Sequence, residues 1–343
     1  MTPERGADHP VDAVASGAGG AEPAGVMAAR AARFAADLAR IWPEGARDDA
    51  QVLGVAVSGG PDSLALLCLA AAARPGGVCA ATVDHGLRAE SASEAAVVTR
   101  ICAGLGVPHR VLCVTVAEGN IQAEARAARY AALAAWMAEG AIAALATAHH
   151  ADDQAETLLM RLNRASGVGG LAGVRERGQV PGAKALVLRP VLGWRRADLA
   201  GLVADRGLIA ADDPSNRNTA FDRVRMRQAL AGADWLDVPA MAQSAAHLAE
   251  ADGALDWAAA REWAEAVSAE GLGVIYRPRA PRAIALRVLT RIVTELDGAP
   301  PRGGAVARLF DALVARQPAS IGHVVARPMP GGWSFTKAPQ RRG

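Results

Sequence analysis

The sequence predicts an α/β fold: a doubly wound parallel sheet followed by a smaller, mainly helical C-terminal region. Three observations carry this. Between residues 51 and 151, short apolar runs alternate with longer stretches of helical character, the rhythm of βαβ units. A Ser/Gly turn, Ser58-Gly59-Gly60-Pro61-Asp62-Ser63, joins the first apolar run to the first helix of that series. Ionisable residues gather where the strands should end, and open α/β sheets bind their ligands at those ends.

The elements follow in order. Residues 1–23 are rich in Gly, Ala and Pro with few large apolar side chains, and disorder is expected. Residues 25–41 read as an amphipathic helix through Val26, Ala29, Phe34, Leu38 and Ile41. Strands are expected over 51–57, 78–83, 109–116 and 142–147, with helices over roughly 62–73, 91–105 and 122–139 and a further one from near 151. The Gly-rich stretch 166–173 and the polar residues to about 184 read as a loop, lying over the site or merely joining surface elements. A short strand near 186–191, a helix near 195–206, a polar turn over 212–219 and a helix over 221–230 come next. Residues 236–267 look helical, with Met241, Leu248, Leu255 and Trp263 as core candidates. The region 273–320 mixes a strand with two helices, and the last two dozen residues are Pro/Gly-rich. The expected organisation is a 1–23 extension, an α/β domain over 24–232 and a smaller helical, basic region over 233–343.

Composition narrows the class. A chain of 343 residues, 51% hydrophobic, has room for two or three domains. The net charge of +2 is uninformative, but residues 271–343 hold twelve Arg/Lys against three Asp/Glu. Such asymmetry fits either a polyanionic partner or a solvated Arg-rich surface. Cys68, Cys79, Cys102 and Cys113 sit in apolar runs without a C-x-x-C pair. That pattern points to buried, reduced thiols in a cytoplasmic protein, not to a zinc ribbon or an iron–sulfur site. No apolar signal core and no stretch of membrane-spanning length is present. A homodimer is compatible with the sequence, which does not fix the oligomeric state.

The Ser58–Ser63 turn has the makings of an anion site. Backbone N–H groups point outward at a helix N-terminus, and the helix dipole favours negative charge there. Gly59 and Gly60 permit close backbone approach, Pro61 suits the first helical turn, and Ser58 and Ser63 add hydroxyls. A phosphate or pyrophosphate is the natural ligand, although no Walker Gly-Lys-Ser/Thr follows. A Gly-Pro turn capped by Asp62 is the plainer alternative.

Other groups follow. Asp84, in Val83-Asp84-His85-Gly86, either accepts from a ribose or base edge or caps the next turn. Arg126 and Arg129 share a helix face suited to phosphate, although a Glu–Arg surface network also makes such strings. Thr147-Ala148-His149-His150-Ala151-Asp152-Asp153-Gln154-Ala155-Glu156-Thr157 joins the fourth strand to a helix. So many ionisable groups are costly to bury as packing. Asp152 and Asp153 suit a helix start or Mg²⁺, which prefers oxygen ligands shared with substrate phosphates; an N-cap cluster is the structural alternative. A dedicated zinc site lacks both a Cys partner and an H-E-x-x-H string. Arg223, Arg225 and Arg227 would share a face on a strand; on a helix only Arg223 and Arg227 align. Arginine suits bidentate phosphate contacts.

Ser58–Ser63 resembles the pyrophosphate loop of the N-type ATP pyrophosphatases. With Val83–Gly86, Glu124-Ala125-Arg126-Ala127-Ala128-Arg129-Tyr130, Thr147–Thr157 and Asp213-Pro214-Ser215-Asn216 with Phe221-Asp222-Arg223, the chain resembles the tRNA(Ile)-lysidine synthase family over residues 51–230. The resemblance implies a PP-loop, adenine nucleotide alpha-hydrolase-like fold and a two-step reaction. ATP adenylates the wobble cytidine of tRNA(Ile) with a CAU anticodon, and free L-lysine then displaces AMP. It further implies that Ser58, Gly59, Gly60, Pro61, Asp62, Ser63 and Asp84 contact ATP. Asp62 and Asp153 would hold Mg²⁺ or orient the reacting groups. His149 and Asp152 would orient the adenylated base or take a proton from lysine. Arg223, with Arg126, Arg129, Arg225 and Arg227, would meet tRNA or the departing phosphate. Asp84, Asp152 and Glu156 are the carboxylates available to lysine. Val224 stands where the family commonly has Asn, and Ala165 where it has Gly. Longer relatives carry an additional C-terminal tRNA-binding domain, and 271–343 is expected to serve a reduced version of that task.

Three other readings fit less well. A 2-thiocytidine synthetase is expected to show C-x-x-C pairs. A GMP or NAD synthetase needs a different substrate segment. A universal-stress-type nucleotide-binding domain leaves the ionisable residues at the strand ends unexplained.

Overall fold

The computed structural model describes residues 24–48, 50–86, 91–115, 121–211, 222–301 and 303–338. The 1–23 extension, the 212–219 turn, Asp213–Asn216 and Phe221 lie outside the described residues. In chain order the elements are α1 (Ala24–Ile41), α2 (Pro43–Arg47), β1 (Leu53–Ala56), α3 (Pro61–Ala73), β2 (Val78–Asp84), α4 (Ser91–Gly104), β3 (His109–Cys113) and α5 (Ile121–Glu139). Then come β4 (Ala144–Ala146), α6 (Ala151–Leu162), α7 (Val168–Leu171), β5 (Arg177–Gln179), β6 (Leu186–Leu188), α8 (Arg196–Asp205), α9 (Asp222–Ala231) and α10 (Val238–Ala266). The last are β7 (Val267–Glu270), β8 (Gly273–Tyr276), α11 (Arg282–Asp297), α12 (Ala305–Val314), β9 (Ala319–Ile321), β10 (Val324–Met329) and β11 (Gly332–Lys337).

The chain forms two compact units, one of Met1–Met160 with Val174–Ala242, the other of Arg161–Gly173 with Gln243–Gly343. The first is built on a six-stranded sheet in the order β3-β2-β1-β4-β6-β5. All neighbours are parallel except β5, which runs antiparallel to β6. After β1 the chain builds outward through β2 and β3, then returns to the other side of β1 with β4. The crevice at such a reversal is where doubly wound sheets take ligands. Both faces are covered. Phe34, Leu38 and Trp42 pack with Leu64, Leu67, Val98, Leu199 and Leu202 on one side. Tyr130, Leu133, Trp136 and Met137 of α5 pack with Leu145 and Val187 on the other. Every residue of α3 from Ser63 to Ala70 is buried, as expected of a helix that is apolar all round.

The second unit carries an antiparallel sheet in the order β7-β8-β11-β10-β9, with Tyr276, Val288, Leu289, Ile292, Leu309, Trp333 and Phe335 in its core. The expectation of a smaller, mainly helical C-terminal region, with one strand, did not include this sheet, which packs with α10–α12. Three two-residue turns join its hairpins, each with one glycine at positive φ: Gly271, Gly322 and Gly331. Tight hairpins demand that conformation, so glycines that look like irregular coil are turn residues.

Other expectations also change. The Gly-rich 166–173 stretch contains α7, and β5 lies within the polar run that follows it. Val26 and Ala29 are exposed, while Phe34, Leu38 and Ile41 are buried. On α10 the buried residues are Ala245, Asp252, Glu262 and Ala266, whereas Met241, Leu248, Leu255 and Trp263 are only half-buried. Buried Glu262 is accounted for by hydrogen bonds from Tyr276 Oη (3.1 Å) and the Arg279 and Ala280 N–H groups. All four cysteines are free; Cys68 and Cys102 are buried, but Cys79 is half-buried and Cys113 exposed. Ala165 adopts φ +51°, a conformation glycine takes more readily.

Candidate active site

The phosphate loop is shaped from within. Gly59 has φ +86°, and a Cβ there would lie 3.4 Å from Ala211 Cβ and 3.5 Å from Val98 Cγ2. Gly60 is the extended N-cap of α3, with Pro61 in the first turn and no side-chain cap. No side chain spends the first N–H groups of the helix, so they are left for an anion. Ser63 Oγ donates to Gly60 O (2.9 Å) and accepts from Ser58 N (3.2 Å), and the Ser58 and Ser63 hydroxyls lie 3.3 Å apart. The Gly59 carbonyl accepts from Ala211 N at 2.9 Å. The chain leading to Asp213–Asn216 is thereby tied to the loop.

A second helix N-terminus meets this one. His150, 1% exposed, is the residue before α6. Its Nδ1 accepts from Asp153 N (3.4 Å), while Asp153 Oδ2 accepts from His150 N (3.1 Å). This reciprocal pair caps the helix. The His150 Nε2 lies 3.4 Å from Asp62 Oδ2 in the first turn of α3. The other oxygen of that carboxylate, Asp62 Oδ1, is enclosed and has no hydrogen-bond partner among the described residues.

Arginines from distant parts of the first unit hold the α6 carboxylates. Asp152 accepts from Arg196 N (2.8 Å) and from the Arg195 guanidinium (3.3 Å). Asp153 Oδ1 accepts from Arg223 Nη2 at 3.1 Å. Glu156, 1% exposed, receives Arg223 Nε and Arg227 Nε at 2.9 Å each and Arg196 Nη2 at 3.4 Å. Four guanidiniums, those of Arg195, Arg196, Arg223 and Arg227, thus meet the three carboxylates of Asp152, Asp153 and Glu156. Burial opposes the charge on Asp153, but His150, Arg223 and His149 outweigh it and hold the carboxyl below its usual range. Burial likewise works against Asp152, and the Arg196 N–H and Arg195 prevail. His149 goes the other way: burial, with Arg189, Arg223 and Arg126 nearby, lowers it to about 4 against the pull of Asp153. Its ring is therefore neutral at neutral pH, with Nδ1 3.1 Å from Thr147 Oγ1.

The remaining expected residues take different places. Arg126 and Arg129 lie over the Tyr130 ring at 5.0 and 5.2 Å, with no carboxylate partner among the described residues. Because 222–231 is a helix, Arg223 and Arg227 share a face, and Arg225 pairs with Asp222. Asp84 caps its own turn: Ser91 and the Gly86 N–H (2.9 Å) hold its carboxyl below the usual range. Of the carboxylates expected to serve lysine, Asp84, Asp152 and Glu156 are thus all engaged by protein groups. Sequence reasoning missed Arg189, Arg195 and Arg196. Arg189 follows β6; its Nε is enclosed without a partner among the described residues, and burial holds the guanidinium below its usual value. Arg195 and Arg196 had a readable signal: two cations at a helix N-terminus oppose the dipole, so an anion should face them. Among the described residues no group of three or more His, Cys, Asp and Glu side chains is arranged to hold a metal ion, and no helix is long and apolar enough to cross a membrane.

The chain is similar to known proteins. The PP-loop domain family matches residues 28–233. The tRNA(Ile)-lysidine synthase of Novosphingobium aromaticivorans is 46% identical over 319 residues, covering 92% of this chain and 96% of that protein. That of Zymomonas mobilis is 40% identical over 299 residues, covering 84% and 89%. Among solved structures, the U34-tRNA thiolase NcsA of Methanococcus maripaludis superposes with a TM-score of 0.53 at 15% identity, over 64% of this chain and 78% of that one. At that identity the likeness speaks for the fold alone.

Proposed function

The chain belongs to the tRNA(Ile)-lysidine synthase family of PP-loop proteins, and from that premise we propose how its residues divide the work. The reaction is an ATP-dependent ligation. The cytidine 2-oxo group attacks the α-phosphorus of ATP and pyrophosphate leaves. The ε-amino nitrogen of free L-lysine then attacks C2, AMP leaves and the nitrogen loses a proton. Codon reading changes from AUG to AUA. A reaction on tRNA and ATP accords with the cytoplasmic location expected from the thiols.

The first step needs the triphosphate fixed in line and its growing negative charge met by positioned donors. The Ser58–Ser63 loop and the α3 N-terminus supply backbone donors for the phosphates. The cluster of Arg196, Arg223 and Arg227 supplies cations, and Glu156 holds these arginines in place. We assign Arg126 and Arg129, whose charges no described carboxylate offsets, to tRNA phosphates. His149 is too weak a base at neutral pH to take a proton efficiently. Its uncharged ring instead orients the substrate by accepting a hydrogen bond.

Mg²⁺ fits Asp62 better than Asp153. Asp62 Oδ1 is an enclosed acceptor with no described partner, whereas both oxygens of Asp153 are engaged. Mg²⁺ is commonly held by one or two carboxylates plus phosphate oxygens, so one free carboxylate oxygen beside a phosphate loop suffices. When bound there, the ion would neutralise phosphate charge. Asp153 then acts by holding Arg223 and capping α6.

The observation that carries this reading is the approach of His150 to Asp62 at 3.4 Å, which brings the loop and the α6 carboxylates into one site. The test is incubation with ATP, Mg²⁺, radiolabelled lysine and unmodified tRNA(Ile) bearing CAU. Lysine label on the tRNA is expected; thiolation, or no transfer, rejects the reading.

A further inference from the structure

Besides the Arg195 guanidinium on Asp152, the turn before α8 and the first residue of that helix hold the start of α6 in three ways. Trp194 O accepts the Ala151 N–H at 2.9 Å, Arg196 N donates to Asp152 Oδ2 at 2.8 Å, and Arg196 Nη2 reaches Glu156 at 3.4 Å. The first two, made by the main chain of this segment, transmit its position directly to the start of α6. What fixes the turn comes from elsewhere. Trp194 is 2% exposed. Its Nε1 donates to Asp37 Oδ2 of α1 at 2.9 Å, and its ring carries the Arg33 guanidinium 4.1 Å from the centroid. Arg33 Nη2 also donates to Gly193 O at 3.2 Å.

Residues of α1 and α2 also pair with side chains before and after this turn in the sequence. Arg40 pairs with Glu176 through two bonds of 2.6 Å, Arg30 pairs with Asp205 at 3.0 Å, and Glu44 pairs with Arg177 at 2.9 Å. Exposed pairs of this kind add little stability singly. Here they flank one buried indole, and the buried contact is the one connected to the site.

We infer that Trp194, clamped by Asp37 and Arg33 of α1, is a positioning residue that sets the α6 carboxylates and their arginines for the adenylation step. This rests on the function proposed above. A displacement of about 1 Å at a reacting centre costs on the order of a hundredfold in rate, so a partial loosening should cost about tenfold.

The test measures pyrophosphate release from ATP and unmodified tRNA(Ile) by the full chain. Trp194→Phe keeps a ring but loses the N–H donor. Asp37→Leu loses the acceptor, whereas Asp37→Asn keeps an oxygen that can accept from the indole. With folded fraction matched by thermal unfolding, Trp194→Phe and Asp37→Leu are expected to lower kcat about tenfold. KM for ATP should stay within about twofold, and Asp37→Asn should restore most of kcat. If Trp194→Phe does not fold, the two Asp37 variants decide the matter. Unchanged kcat in folded Asp37→Leu, a change in KM alone, or Asp37→Asn as slow as Asp37→Leu overturns the inference. A wild-type chain that releases no pyrophosphate would instead overturn the proposed function, so the two failures are distinguishable.

Discussion

The two helix N-termini that meet at the site are built in opposite ways. The start of α3 is knitted within six residues: Ser63 Oγ bonds Gly60 O and Ser58 N, and the glycines leave backbone donors open. The start of α6 depends on remote cations: Arg195 and Arg196 on Asp152, Arg223 on Asp153, and Arg196, Arg223 and Arg227 on Glu156. One end leaves its first backbone N–H groups without a side-chain cap. The other is a set of carboxylates whose main partners among the described residues are arginines. The difference teaches that a helix N-terminus rich in acids need not be a metal site. The carboxylate oxygen with no partner among the described residues belongs to Asp62, on the other helix.

Breaking the α6 side should cost most. Asp153→Ala removes both the cap and the anchor of Arg223, and ATP–pyrophosphate exchange should fall at least about a hundredfold; near-wild-type exchange would refute its placement. Glu156→Gln comes next. It leaves three guanidiniums without their shared counter-charge, but these are 29–43% exposed, so solvent softens the penalty. About 2 kcal/mol is expected, seen as a fall of about 5 °C in thermal midpoint. An unchanged midpoint would mean that the arginines need no such anchor.

The α3 side should be sensitive to backbone instead of charge. Gly59→Ala forces a side chain into φ +86° and should cost about 1–2 kcal/mol in urea unfolding, with weaker ATP binding. Equal stability would show that the loop can relax. The mildest difference is in acid response. His149 is held near 4, while an unfolded histidine titrates near 6.5. Between those values the unfolded chain binds a proton that the folded chain does not. This contribution is complete above about pH 6.5 and is lost as pH falls towards 4. Asp152 and Asp153, held low, add a loss at still lower pH. Urea titrations at pH 7 and 5 should show weaker stability at pH 5 for wild type and a smaller drop in His149→Gln; equal drops contradict the assignment.

The same contrast explains what was legible. The Ser58–Ser63 turn, the alternation of β1 to α6 and the gathering of His149–Glu156 at a strand end were visible because their causes are local or periodic. The occupants of the α6 carboxylates were not, because Arg195, Arg196, Arg223 and Arg227 lie some 40 to 71 residues away along the chain and pattern carries no such pairing. Whether Arg225 shared a face with Arg223 and Arg227 turned on strand or helix, and the helix pairs it with Asp222 instead. The C-terminal sheet was missed for a different reason: its strands are as short as three residues, and the glycines of its turns gave the segment the composition of coil. The family resemblance covered 51–230 and left that segment to composition alone.

The account stands on the two helix ends working as one unit. A double-mutant cycle on single-turnover pyrophosphate release tests it most directly, with Asp62→Asn on the α3 side and Asp153→Asn on the α6 side. If the two ends form one catalytic unit, the double variant should be about as slow as the slower single variant. Losses that multiply in full would place the two carboxylates in independent roles and contradict it.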